Sequence, residues 1–118
     1  MKVVINDMVG GFQLDLQSIV EFLTRKGIKF EVEPRASIWR AASVKIIPSG
    51  GEEFYYFSYN MIERNDPDFV EMVQTMDDRV INGCCHLKIV DIPDGIDWIV
   101  LESEDGSEYV AEKFRTWY

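Results

Sequence analysis

Turn signals cut the C-terminal part of this chain into short pieces, and that division constrains the fold more than any other feature. From Lys88 onward the sequence reads as three short strands, separated by Pro93-Asp94-Gly95 and Glu104-Asp105-Gly106. Short runs bounded by Pro, Asp and Gly fit an antiparallel meander, because those residues supply the backbone angles that tight reversals need. From Ile89 to Glu112 there are eight carboxylates and no Lys or Arg. The charge then reverses in Lys113-Phe114-Arg115-Thr116-Trp117-Tyr118, where two cations stand among three aromatics. A tail of that composition suits ligand recognition better than plain solubility.

The remainder supplies two helices and further strands. Lys2–Asn6 is a short apolar strand, and Asp7 to Leu14, with Gly10-Gly11-Phe12, is a loop. Asp15 is placed to cap a helix over residues 16–26 with Leu16, Ile19, Val20 and Leu23 on one face, and Gly27 stops it. Residues 28–33 alternate with apolar side chains at 28, 30 and 32, the pattern of a half-buried strand. Ser37 to Ile47 and Glu53 to Tyr59 read as two strands of a hairpin turning at Pro48-Ser49-Gly50-Gly51. Ile38-Trp39-Arg40 would then face Phe54 to Phe57. Asp66-Pro67 opens a second helix with the stripe Phe69, Val70, Val73, Met76 and Val80, ended by Asn82-Gly83. Strands outnumber alternating βαβ units, so the expectation is an α+β domain spanning 1–118. It has a largely antiparallel sheet, two helices and a C-terminal three-stranded meander, with a parallel α/β sandwich as the fallback.

Length and charge exclude several classes. A chain of 118 residues with 47% hydrophobic residues can bury one core. Its net charge of −9 opposes binding to DNA or RNA duplexes, which needs a cationic field, and opposes anionic membrane surfaces equally. No signal peptide and no apolar run of spanning length is visible, so a cytoplasmic location is expected, the host cytoplasm for a phage-encoded protein. The adjacent Cys84 and Cys85 are read as reduced and half-buried. With the lone His86 beside them they make a poor metal site. Three consecutive strand residues cannot all face one ion, and further ligands are lacking. No cofactor is expected.

Catalytic constellations are equally thin. Asp77/Asp78 and Glu102/Glu104/Asp105 are carboxylate groups without a second catalytic partner and read as solvated faces. Gly10-Gly11-Phe12 lies between a strand and a helix, where nucleotide folds cradle phosphate, but the glycine spacing is wrong and Asp15 would repel the anion. The scarce cations are more telling: Arg64 just before a helix, and Arg115 between Phe114 and Trp117. A guanidinium can fork two hydrogen bonds to a phosphate, and a ring can stack on a base for roughly 1–3 kcal/mol. The bland alternative is that Arg115 pairs with a neighbour such as Glu112 and that Trp117 covers the core edge.

The run from Leu87 to Asp94, Asp97-Trp98-Ile99, Asp105-Gly106, Glu108, Val110 to Lys113 and Arg115-Thr116-Trp117 resembles a widespread family of small phage and prophage proteins. Val3 to Asn6 with Gly10-Gly11-Phe12, and Arg64 with Asp66-Pro67, are similar to its other marks. The chain departs from the pattern at Phe114, where His is expected, and at Gln13, where Gly is expected. That family is similar to, or overlaps, the phage Thoeris anti-defence sponge proteins. The resemblance implies a non-enzymatic protein that captures a host signalling nucleotide made by a TIR-domain enzyme. The implied ligand is a cyclic ADP-ribose isomer, with cyclic oligonucleotides at separate sites in some members. It implies a homo-oligomer, dimer or higher, with ligand held at subunit interfaces. Phe12 and Trp117 would then stack, Arg64 and Arg115 would meet the pyrophosphate, and Asn82 would hydrogen-bond base or ribose. The competing expectation, drawn from charge alone, is an acidic inhibitor that occupies a basic surface of a host enzyme.

Overall fold

The computed structural model describes residues 1–33, 43–76, 78–81 and 85–113, and its class is the expected α+β. In chain order the elements are β1 (Lys2–Asn6), α1 (Leu16–Lys26), β2 (Phe30–Glu33), β3 (Ser43–Ile46) and β4 (Tyr55–Tyr56). After a 3-10 turn over Tyr59–Met61 follow α2 (Pro67–Thr75), β5 (Val80–Ile81), β6 (Cys85–Asp91), β7 (Trp98–Glu102) and β8 (Glu108–Glu112). The described chain falls into two compact units. One joins Met1–Leu14 to the chain from Arg64 onward, and the other is Asp15–Glu63.

In the first unit β6 is the middle of an antiparallel sheet, β1-β6-β5. The β1–β6 register runs from Lys2↔Asp91 to Asn6↔Leu87, and Ile92 donates to the Met1 carbonyl to extend it. Val3, Val4, Leu87 and Cys85 are fully buried here, together with Phe69, Met72 and Val73 of α2. The α2 start follows local rules: the Asp66 carboxylate accepts the amides of Asp68 and Phe69 at 2.9 and 3.3 Å, and Pro67 needs no partner for an amide it lacks.

Two expectations fail in this unit. The second helix does not continue to Val80, nor does it end at Asn82-Gly83, which lie outside the described residues. It stops at Met76, whose backbone is extended, and Val80-Ile81 pair with His86 and Cys85. Val80 therefore leaves the helical stripe, because two β-branched residues gain more from a sheet partner than from another turn. The three-stranded meander is also corrected. Its first strand lies within the central sheet, with β1 along one edge and β5 on the other, so among the described residues β7 pairs with β8 alone in a two-stranded hairpin.

The second unit holds α1 and the antiparallel sheet β2-β3-β4. Asp15 caps α1 by accepting the Ser18 amide at 2.9 Å. At the other end Gly27, at φ 70°, lets its own amide reach Thr24 O and that of Ile28 reach Leu23 O. Closing the helix in this way uses Ile28, so β2 begins at Phe30 rather than at 28, and Val32 is 41% exposed. The buried face of α1 is Ser18, Phe22 and Leu23, turned from the expected stripe because Phe22 stacks with Phe57 at 6.4 Å. Leu16 is left exposed. Of the predicted hairpin, residues 34–42 lie outside the described residues, including Ile38-Trp39-Arg40. The described ladder pairs Lys45 with Tyr56 and Ile46 with Tyr55. Among the described residues, no helix is long and apolar enough to cross a membrane.

Across the β1–β6 ladder Lys2 Nζ donates to Asp91 Oδ2 at 2.9 Å. That hydrogen bond, and then the ammonium charge, hold the Asp91 carboxyl below its ordinary value of 3.8. A depressed carboxyl stabilises the fold above the unfolded value and loses that contribution as pH falls through the folded one. Replacing Lys2 by Met is expected to return Asp91 to the ordinary carboxylate range in a carbon-13 titration of the side chains. An unchanged titration point would show that Lys2 is not the cause.

Candidate functional site

The outer edge of β1 is where the first unit concentrates its polar chemistry. Val4 N–H donates to Arg64 O at 2.7 Å, and Asn6 N–H donates to Glu108 Oε1 at 2.8 Å. An open strand edge is a row of unpaired donors and acceptors. Here it is closed by an arginine and a carboxylate rather than by another strand. Arg64 Nη1 and Nη2 fork onto Glu108 Oε1 and Oε2 at 2.6 and 2.8 Å, and Nη1 also reaches Val4 O at 3.4 Å. Their side chains are 18% and 5% exposed, so this pair is largely withdrawn from water. The flat guanidinium lies over the Phe12 ring, 3.5 Å from its centroid, and Phe12 meets Phe69 edge-on at 6.2 Å.

A second layer of contacts locks the loop after β1 against the β7–β8 turn. Gly10 N–H donates to Asp105 O at 2.9 Å. Gly106 is buried at φ 94°, and a Cβ there would stand 2.4 Å from the Gly11 nitrogen. Only glycine satisfies both the backbone angle and that approach. Asn6 is fully buried with its polar atoms satisfied. Its amide donates to Met8 O and Gly106 O at 2.8 and 3.2 Å, and its carbonyl accepts from Met8 N and His86 N at 3.0 and 3.1 Å. In the turn, the hydroxyl and then the amide of Ser107 hold the Asp105 carboxyl below its usual range.

His86 and Asp7 form a half-exposed pair with Nδ1 to Oδ1 at 2.5 Å, while Asp7 N–H donates to His86 O at 3.0 Å. Cys85, expected half-buried, is fully buried and unpaired by any disulfide. Burial pushes its thiol up, Glu108 and Asp7 add to that, and a Gln13 backbone hydrogen bond and the Arg64 charge oppose it. A thiol so placed is inert packing rather than a nucleophile. Among the described residues, no group of three His, Cys, Asp or Glu is placed to hold a metal ion.

Of the five ligand residues expected from the sequence, Phe12 and Arg64 are brought together, and Asn82, Arg115 and Trp117 lie outside the described residues. Phe12 is half-buried between a guanidinium and Phe69. The Arg64 fork expected to meet a pyrophosphate is occupied by Glu108. The sequence reading missed Asn6, Gly106 and Glu108 as partners, although each falls within the runs that carry the family resemblance. In the second unit a separate open cleft of about 510 Å³ is lined by residues including Lys29, Ile46, Ser49, Glu52 and Tyr55.

A scan against protein-family models finds no match for this chain, and searches of curated proteins and of solved structures find none either.

Removing one member of a buried ion pair strands the other. Arg64→Ala is therefore expected to cost about 3–5 kcal/mol in urea unfolding, with much of it recovered in the Arg64→Met/Glu108→Leu double variant. A loss below about 1 kcal/mol would mean the pair behaves as an exposed one. The glycines give an internal control. Gly95, at φ 82°, has open space around it, so Gly95→Ala should cost only the roughly 1–2 kcal/mol of the left-handed backbone. Gly106→Ala should cost clearly more in the same assay, because it also drives Gly11 away.

Proposed function

We propose that this chain is a non-catalytic binder that captures and holds a charged signalling nucleotide, a cyclic ADP-ribose isomer, without cleaving it. The reading rests on the resemblance to phage anti-defence sponge proteins and on one observation that supports it. Marks of that resemblance far apart in the chain, namely Asn6, Gly10-Gly11-Phe12, Arg64, Asp105-Gly106 and Glu108, meet in a single connected cluster.

In this reading Glu108 holds Arg64 flat on Phe12, and the two form a rigid floor of ring and guanidinium. A pyrophosphate reaching Arg64 has to share or take over the fork from Glu108. Arg115 supplies the further charge, Trp117 stacks, and Asn82 meets base or ribose. Cyclic oligonucleotides are a second ligand class. The ligand lies between subunits of a homo-oligomer in the host cytoplasm. Self-association falls naturally to the second unit, whose seven carboxylates and six Lys or Arg nearly balance. That unit also exposes Phe54, Tyr55 and Tyr56 by about half. Large exposed apolar groups on a nearly neutral surface mark an interface.

Calorimetry with cyclic ADP-ribose isomers tests the proposal. Binding in the nanomolar range, about −12 kcal/mol, is expected for one isomer. Ligand recovered after heat denaturation should be chemically intact. Arg115→Ala should abolish the heat while leaving the melting temperature nearly unchanged. Absence of heat with every isomer removes the proposal, and recovery of a cleaved ligand replaces it with an enzyme.

A further inference from the structure

The β7–β8 hairpin presents two different faces. Directly paired residues share a face, so Glu108, held by Arg64 and the Asn6 amide, marks the inward one. The outward face carries Leu101 opposite Tyr109 and Ile99 opposite Ala111. Ile99, Leu101 and Tyr109 are 39%, 37% and 49% exposed, a contiguous apolar strip rather than scattered single residues. Exposed carboxylates stand at both ends of it: Asp97 at one, next to Asp94, which the Met1 ammonium engages at 2.7 Å, and Glu104 and Asp105 at the other. Lys113, just past β8, is the nearest cation along the chain, since residues 89–112 contain none.

The occupant of this strip follows from charge. The first unit holds fourteen carboxylates and six Lys or Arg, a balance of −8. Nucleic acid and anionic membrane are repelled, and a second copy would bring the same carboxylates face to face. A protein segment that is apolar along one side and cationic at its ends complements both features at once. The surface is also set before binding. Glu108 anchors one face, and the Gly106–Gly11 approach fixes the turn, so docking need not order the hairpin. The geometry points to the outward face of the β7–β8 hairpin as a docking surface for a cationic, apolar-sided segment of another protein. The inference does not depend on nucleotide binding, which the proposal above assigns to other residues.

Two short synthetic peptides of equal length and charge serve as probes, one alternating Lys with Leu and the other Lys with Ser. Each is titrated into the nitrogen-15-labelled full chain at low salt. The Lys/Leu peptide is expected to shift the amides of residues 98–112 saturably. It should bind about tenfold tighter than the Lys/Ser peptide, because only it covers the strip. Leu101→Ser/Tyr109→Ser should erase most of that preference with nucleotide binding unchanged, and the wild-type shift map gives the answer even if that variant folds poorly. Equal affinity for the two peptides, or shifts scattered over the acidic surface, overturns the assignment. So does a sedimentation mass that falls in the double variant, which would make the strip a contact between copies of this chain.

Discussion

The fork between Arg64 and Glu108 is the interaction on which the first unit depends, because it closes a sheet edge that no strand among the described residues covers. Val4 is fully buried, and its amide and carbonyl face away from β6. Left unpaired, such groups cost about 1–3 kcal/mol each. Arg64 meets both, with its own carbonyl and with its guanidinium, and Glu108 meets the amide two residues on. The ion pair is thus the bolt between three distant parts of the sequence. Its value is chiefly specificity, since a buried pair gains little over a hydrophobic substitute but is severely missed when halved. A register slip of β1 by one residue would turn the amides of Val4 and Asn6 away from both partners.

That use of Arg64 narrows what the chain can offer an anion. Among the six Lys or Arg of the first unit, Lys2 and Arg64 are engaged with Asp91 and Glu108. On the proposed reading, a nucleotide phosphate would have to be met mainly by other cations, of which Arg115 is the one flanked by rings in the sequence. Phe12 belongs to the same logic. A ring already stacked under a guanidinium is a stiff platform, and stiffness lowers the entropy lost on binding. The internal stack and a ligand-facing role are compatible only if the ligand adds to the far side of the pair.

Local rules were legible in the sequence and non-local ones were not. Asp15, Gly27 and Asp66-Pro67 mark helix ends because caps and stops act within a few residues, and the structure places each as expected. At Val80 a helical stripe and a two-residue strand look alike in the sequence until the partner, His86, is known. The meander failed for a related reason. Turns at 93–95 and 104–106 predict reversals, but only the pairing of Lys2 with Asp91 reveals that β6 is already flanked. At the site, Gly106 was legible as a turn residue but not as the surface against which Gly11 rests. The one available hint to Glu108 was parity. Glu102, Glu108 and Glu112 occupy the same face of the hairpin, and a carboxylate on an inward face needs a cation, of which the unit has few.

Because most of the charge sits in one unit, the two proposed ligands, an anionic nucleotide and a cationic segment, would respond oppositely to the same negative field. An anion approaches against the balance of −8, so long-range forces slow its capture, and tight binding has to come from slow release through stacking and short forked contacts. Added salt screens that opposition within a Debye length of about 8 Å at physiological strength and favours the anion. A basic partner gains from the same field on approach and loses it to salt. One acidic surface can thus serve two ligands without confusing them, provided the anion's contacts are buried and the partner's are on the rim. The hairpin fits the partner's half of that condition, with Glu108 turned in to neutralise Arg64 and Asp97, Glu104 and Asp105 exposed at its ends.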